Sequence, residues 1–167
     1  MLQRVQTIFM TIAAIAMILM LFFPIWEKSD QQFEAEKREY AIMDAFQLRY
    51  EQHNTVTEEV QLLGTQDTFL LSVGAIAAAL VMLFSISRYK NRMTQVKLNA
   101  LFSLITAATL VGTYLYTSKA NGLFEPTVPG TFLIGFYLPI AAMLNNFMAN
   151  RFIRKDEQLV RSADRIR

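Results

Sequence analysis

Four stretches of this sequence, each twenty residues long, contain no aspartate, glutamate, lysine, arginine or histidine. They are residues 7–26, 68–87, 98–117 and 131–150. A helix rises about 1.5 Å per residue, so each stretch would cover about 30 Å, the thickness of the hydrocarbon core of a bilayer. A helix also satisfies its own backbone hydrogen bonds, as lipid requires. The four stretches therefore predict four transmembrane helices, in agreement with an apolar content of 53%.

The first stretch has an alternative interpretation as a cleaved signal peptide. Arg4 precedes it, and Ala14 and Ala16 resemble a small-x-small cleavage motif. Cleavage there would leave the apolar residues 17–23 exposed at the new end of the chain. We therefore expect an uncleaved first helix, with Trp26 as its anchor at the membrane interface.

The basic residues in the connections predict how the helices are oriented. Four bases and no acid lie in residues 88–97, six bases lie in residues 151–167, and Arg4 precedes the first stretch. The segment 27–67 instead carries ten acidic residues against four basic ones. Because cytoplasmic connections are enriched in lysine and arginine, both termini are expected in the cytoplasm and residues 27–67 outside it.

Together these patterns predict an all-α membrane protein in which residues 1–167 form one integral membrane domain. Four transmembrane helices make a four-helix bundle, residues 27–67 form a short extracytoplasmic segment, and residues 151–167 form a C-terminal amphipathic helix. The extracytoplasmic segment is expected to hold a helix over "QQFEAEKREYAIM" and then a hairpin in which "FQLRY" pairs with "VTEEVQLL" across "EQHNT".

The amphipathic helix has an apolar stripe and an opposite charged face. The stripe comprises Phe152, Ile153, Leu159, Val160, Ala163 and Ile166. An isolated helix of this length is marginal in water, so the stripe should be covered. Two alternatives are open: the headgroup layer of the membrane, which attracts basic residues, or a cytosolic protein partner.

The residues that catalysis or metal binding need are scarce. The chain has no cysteine and a single histidine, His53, which is expected in a solvated turn. We therefore predict that it is not an enzyme and holds no cofactor or metal. No charged residue lies within the four stretches, which argues against a coupled transporter or pump.

These exclusions leave an accessory or assembly subunit that binds another membrane protein as the predicted function. The alternatives are a small transporter or channel lined by threonine and asparagine, and an envelope or lipid-associated factor that acts through residues 27–67. The expected partners are the lipid bilayer and either a membrane protein or another copy of this chain, with no nucleic acid.

The small and polar residues of the four stretches are typical of contacts between helices. Gly74 with Ala78, and Ser103 with Ala107, form small-x-x-x-small pairs. Asparagines near the end of the fourth stretch either clamp helices of this chain together or contact another subunit, because a buried amide needs a partner. The candidate interaction surface comprises Arg92, Gln95, Asn145, Asn146, Asn150, Phe152, Leu159, Arg161 and Arg165.

Three strings, "MLQRVQT", "YKNRMTQVKLN" and "ANRFIRKDEQLVRSADRIR", frame the whole chain. On these strings the chain resembles a family of small four-helix inner-membrane proteins of Gram-negative bacteria, catalogued as a domain of unknown function. The resemblance implies a bacterial inner-membrane location and this topology, and it implies no activity or catalytic residue. All three strings lie on the predicted cytoplasmic side, where a functional surface is therefore expected.

Overall fold

The computed structural model describes residues 2–29, 37–54, 59–89, 91–122 and 129–164, which form four helices and five strands. In chain order these are α1 (Leu2–Leu19), β1 (Trp26–Ser29), β2 (Lys37–Met43), β3 (Gln47–Asn54), β4 (Val60–Asp67), α2 (Phe69–Ser87), α3 (Arg92–Asn121), β5 (Thr131–Phe132) and α4 (Ile134–Asp164).

Each of the four apolar stretches contains a helix, although the boundaries differ. Helix α1 ends at Leu19, seven residues before the predicted end, and the chain turns through Pro24 into β1. Trp26 is therefore not an interfacial anchor but a fully buried strand residue that packs against Gly130. Helix α3 is longer than predicted at both ends, because polar residues that favour helix continue its pattern.

The prediction of an all-α fold is wrong. The five strands form one sheet in the order β4-β3-β2-β1-β5, with every neighbouring pair antiparallel. One face of this sheet buries alternate residues of the three central strands. They are Trp26 and Lys28 of β1, Ala41 and Met43 of β2, and Leu48 of β3. This alternation is the period of a strand with one covered face.

The predicted helix in the extracytoplasmic segment is also wrong where the structure describes it. Residues 37–43 form β2 and pair with both β1 and β3, and the first part of the predicted helix lies outside the described residues. A hairpin of β3 and β4 is present, but its pairing differs from the prediction: residues 47–50 lie opposite residues 64–67, not opposite "VTEEVQLL", and residues 51–54 extend β3 instead of forming the turn. Glutamate, lysine and alanine favour a helix locally, but strand pairing overrides that weak preference.

The sheet is attached to one end of the helices through the turn between β2 and β3. Asp44 closes this turn by accepting hydrogen bonds from the backbone N–H groups of Phe46 and Gln47 at 2.8 and 2.9 Å. The first residues of α2 then bond to the turn: the Thr68 hydroxyl donates to the Asp44 carbonyl at 3.0 Å, and the Ser72 N–H donates to Ala45 at 3.1 Å. The start of α2 is therefore fixed on the sheet.

A buried lysine joins the sheet to the C-terminal end of α3. The ammonium of Lys28, which is 5% exposed, donates a hydrogen bond of 3.1 Å to the backbone carbonyl of Asn121 at the end of α3. A positive charge at this position stabilises the negative end of the helix dipole. The sheet thus contacts both the beginning of α2 and the end of α3.

The predicted bundle of four transmembrane helices is wrong as well. Among the described residues, α2 and α3 alone are long and apolar enough to cross a membrane, and the apolar part of α1 is shorter, Val5–Leu19. Helix α1 is shortened by the turn before Pro24. Helix α4 is less apolar because Asn145, Asn146 and Asn150 lie within it and charged residues follow.

The C-terminal segment is helical through Asp164, as predicted, but it is not a separate helix. It continues α4 without a break, because no glycine or proline interrupts residues 140–164. Its first turn packs inside the protein: the ring of Phe152 stacks on Phe9 of α1 with centroids 5.6 Å apart, and Ile153 is fully buried. Leu159 is half-exposed, and residues 165–167 lie outside the described residues.

Candidate functional site

Helix α3 turns its polar side chains inward and its large apolar side chains outward. A buried polar stripe runs along its length at helical spacing and comprises Gln95, Asn99, Thr106, Thr109, Thr113 and Thr117. The exposed large apolar residues of the same helix are Met93, Leu101, Leu104, Val111, Tyr114 and Leu115. This distribution is the reverse of that in a helix packed on a water-soluble core.

At the end of α3 far from the sheet, the polar stripe joins three helices. The hydroxyl of Ser85 on α2 donates a 2.8 Å hydrogen bond to the side-chain oxygen of Asn99. The Asn99 amide donates in turn to Asn150 on α4 at 2.9 Å. Asn146 of α4 donates both to the Asn99 carbonyl at 2.9 Å and to the Ser103 hydroxyl at 2.8 Å. We call this group of five residues the polar clamp.

Three buried oxygen atoms in or next to the polar clamp have no hydrogen-bond partner among the described residues: Gln95 Oε1, Thr106 Oγ1 and Asn146 Oδ1. The Gln95 amide does donate to the Ser85 carbonyl at 3.2 Å, so this side chain is held on one side. An unpaired oxygen away from water costs free energy. The interior of the helical layer is therefore polar, and part of its hydrogen-bonding capacity is unused among the described residues.

The structure distributes the residues of the predicted interaction surface between the interior and the exterior. Gln95 and Asn146 are buried, and with Asn150 they bond to other helices of this chain, which is the first of the two alternatives considered for the asparagines. Asn145 donates to the Ala141 carbonyl of its own helix at 2.8 Å.

The other described members lie around the α3 and α4 ends away from the sheet. Arg92 forms an ion pair of 2.8 Å with Asp156, and Leu159 is 51% exposed. Phe152 stacks on Phe9, Arg161 lies on the last turns of α4, and Arg165 is outside the described residues. That this end binds a partner stays a prediction.

Sequence reasoning missed a surface on strand β4. Among the described strands β4 has a neighbour on one side only, β3, so one of its edges is free. The pairing shifts by one residue between Tyr50 and Glu51, which makes a bulge at Leu63. Val60, Leu62 and Leu63 are each more than half exposed. We call these three residues the β4 patch. The sequence feature that could have indicated it is the largely apolar string "VQLL" in a segment rich in acidic residues.

A groove of about 660 Å³ lies between α2 and α3 at the end nearest the sheet. Leu71, Gly74, Thr109 and Gly112 lie where the two helices approach closely, and Leu70, Leu104 and Leu115 flank them as exposed side chains. Gly74 permits this approach, because a Cβ atom there would collide with the Thr109 hydroxyl. Of the predicted small-residue pairs, the one with Gly74 is thus at a helix contact.

The end of the groove nearest the sheet is polar. Gln66 and Asp67 reach it from the end of β4, and Tyr116 and Lys119 reach it from the last turns of α3. Asp67 and Lys119 are exposed, and within the described part of the chain neither one makes an ion pair. The groove therefore combines an apolar length with one acidic and one basic group at its mouth.

The histidine of the sheet packs against two other titratable side chains. His53 is in β3, not in a turn; its ring lies 4.6 Å from the Tyr40 ring, and its Nε2 atom lies 3.3 Å from Glu51. Burial raises the pKa of the Tyr50 hydroxyl above its ordinary value.

Among the described residues, no group of three or more histidine, cysteine, aspartate or glutamate side chains is placed so that it could hold a metal ion.

Comparison with known proteins relates the chain to one family. A family model described as a domain of unknown function, DUF4293, matches residues 2–166. This match confirms the predicted resemblance to an uncharacterised family. A search of curated proteins finds no match to this chain.

Proposed function

The chain belongs to the DUF4293 family, and we propose that it is an accessory subunit that binds another membrane protein, with α2 and α3 crossing the bilayer. The observation that carries the proposal is the outward-facing apolar surface of these two helices. Only 39% and 28% of the residues in their most apolar parts are buried inside the protein. Large apolar side chains exposed over that length favour apolar surroundings over water.

Helix α2 supports membrane insertion in the same way as α3. Its buried face is made chiefly of small residues, including Ser72, Ala75 and Ala78. Its exposed face presents larger apolar side chains. These are Phe69, Leu70, Val73, Ile76, Leu80, Leu83 and Phe84. Small residues between helices and large ones toward lipid are typical of helix packing in membranes.

We propose that the membrane is the bacterial inner membrane and that the sheet lies outside the cytoplasm. The connection between α2 and α3 carries Arg88, Lys90 and Arg92, and cytoplasmic connections are enriched in such residues. At this end of the helices, Asp156 of α4 pairs with Arg92 and Phe9 of α1 stacks on Phe152. The acidic segment 27–67 then faces outward.

The partner is proposed to bind at the β4 patch. A strand edge presents unpaired N–H and C=O groups, which an extended segment of another protein can pair with. Val60 and Leu62 lie opposite His53 and Glu51, so they belong to the sheet face away from the buried residues. Exposed leucine and valine on such an edge favour protein over water as the neighbour.

The test is photo-crosslinking in intact cells from a photoreactive amino acid placed at Leu62. We expect one membrane-protein adduct that is lost when Val60 is changed to lysine, and retained when Gln61 is changed to lysine. Gln61 is an exposed neighbour on the same strand, so it controls for added charge. The adduct is then identified and the pair purified together.

Three outcomes would contradict the proposal. An adduct with a second copy of this chain alone would indicate a homo-oligomer. Equal crosslinking in both lysine variants would mean that the β4 patch is not the contact. A purified, partner-free protein that moves a solute into liposomes would favour the transporter alternative. The prediction that the chain is not an enzyme rests on its sequence and stays a prediction.

A further inference from the structure

The groove between α2 and α3 has the dimensions of a site for a lipid chain. Along α3 its lining extends from Leu104 to Lys119, fifteen helical steps, which correspond to about 22 Å of helix. The hydrocarbon of one leaflet is about 15 Å thick, half of the bilayer core. The groove therefore covers a full leaflet and reaches beyond it to the polar boundary.

The direction of the groove agrees with that of a phospholipid in the outer leaflet. Its apolar part lies between the two helices and includes Leu71 and Gly112. Its polar end lies where α2 begins and α3 ends, next to the sheet. An acyl chain would lie along the leucine side chains, with its headgroup beside Asp67 and Lys119.

The charges at the mouth select among headgroups. Asp67 and Lys119 have opposite charge, and of the ion pairs seen in the described residues none involves them. A carboxylate and an ammonium at one mouth are complementary to a zwitterion that carries an ammonium and a phosphate. We infer that the groove binds phosphatidylethanolamine, whose ammonium donates to Asp67 and whose phosphate accepts from Lys119. This inference depends on membrane insertion, but not on partner binding at the β4 patch.

The experiment is native mass spectrometry of the full chain, purified in mild detergent, delipidated and titrated with palmitoyl-oleoyl phospholipids. The wild-type protein should bind one phosphatidylethanolamine about tenfold more tightly than phosphatidylglycerol, the difference expected for one charged contact. Asp67→Asn should abolish this preference. Lys119→Gln should weaken the binding of both lipids, because both contain a phosphate.

A steric variant tests the position of the lipid. Ala108 is exposed within the groove, so Ala108→Leu should fill it and abolish stoichiometric binding. Ala100 is exposed on the same helix but does not line the groove, so Ala100→Leu should bind lipid as the wild type does.

Three results would overturn the inference. Equal wild-type affinity for the two phospholipids would indicate only ordinary boundary lipid. Unchanged binding in Ala108→Leu would place the lipid elsewhere. A photoreactive residue at Ala108 that captures a protein in cells, and no lipid, would make the groove a contact for a transmembrane helix. Loss of the crosslink at Leu62 would leave all of these measurements unaffected, so the two proposals fail separately.

Discussion

The side-chain amide of Asn99 donates a 2.9 Å hydrogen bond to the side-chain oxygen of Asn150, and this bond joins α3 to α4. The same asparagine accepts from Ser85 on α2. One fully buried side chain therefore connects three helices. Away from water, each of these groups depends on the others for its hydrogen bonds.

Replacing Asn99 with leucine should lower the free energy of unfolding by about 1 to 3 kcal/mol, because Ser85 and Asn150 lose a buried partner. The change is measured by urea unfolding in mild detergent, with the fluorescence of the single tryptophan, Trp26, as the signal. Lys97→Leu, at an exposed site of the same helix, is the control and should change stability by less than about 0.5 kcal/mol. Strictly additive costs for Asn99→Leu and Asn150→Leu would show that the two side chains are not coupled.

Gly74→Ala should destabilise the protein by about 1 to 3 kcal/mol, because the added methyl group collides with the Thr109 hydroxyl. In a Thr109→Ala background the cost should fall, since the colliding group is gone. Gly112→Ala is the matched control: its added carbon would lie 3.2 Å from a methyl carbon of Leu71, a side-chain end that can shift. Thermal unfolding in detergent compares the variants, and an equal cost in both backgrounds would disprove the proposed collision.

Lys28→Met should weaken the attachment of the sheet to α3. The substitution keeps most of the volume but removes the ammonium that donates to Asn121, at a cost of about 1 to 2 kcal/mol. Hydrogen exchange should show faster exchange in β1 and the last turn of α3, with little change at the polar clamp. Lys97→Met is the control for loss of a positive charge. Uniformly faster exchange over all helices would instead indicate global destabilisation.

The proposed topology predicts a definite labelling pattern. The chain has no cysteine, so single cysteines can be introduced without background. In intact cells an impermeant thiol reagent, given access to the periplasm, should label Gln52→Cys on the sheet. It should label Lys90→Cys only after the inner membrane is permeabilised. Labelling of Lys90→Cys but not Gln52→Cys in intact cells would reverse the orientation.

The positions of the helices were predictable because helix formation in an apolar stretch is governed by nearby residues. Thr68 to Ser87 shows this most clearly, since α2 begins and ends within one residue of the predicted bounds. That this segment contains a hairpin was predictable for a similar reason, since its strands are close in sequence and "FQLRY" alternates apolar and polar residues, but the position of the turn and the pairing of the residues were not.

The rest of the sheet was decided by contacts between distant residues. Trp26 ends an apolar run that continues from α1, and nothing next to it in sequence indicates that it pairs with Met43 and Phe132. Likewise, the residues of β2 are local helix formers, and they become a strand only because β1 and β3 lie on both sides.

The amino-acid sequence by itself determined the positions of the four helices and the asparagines that need buried partners. Those properties depend on residue type and on separations of a few residues. The tertiary structure decided that Asn146 and Asn150 face Asn99, that Leu62 lies on the edge strand of the described sheet, and that Asp67 and Lys119 line one groove. Such juxtapositions depend on how distant elements pack, and long-range packing leaves no periodic signal in a single sequence.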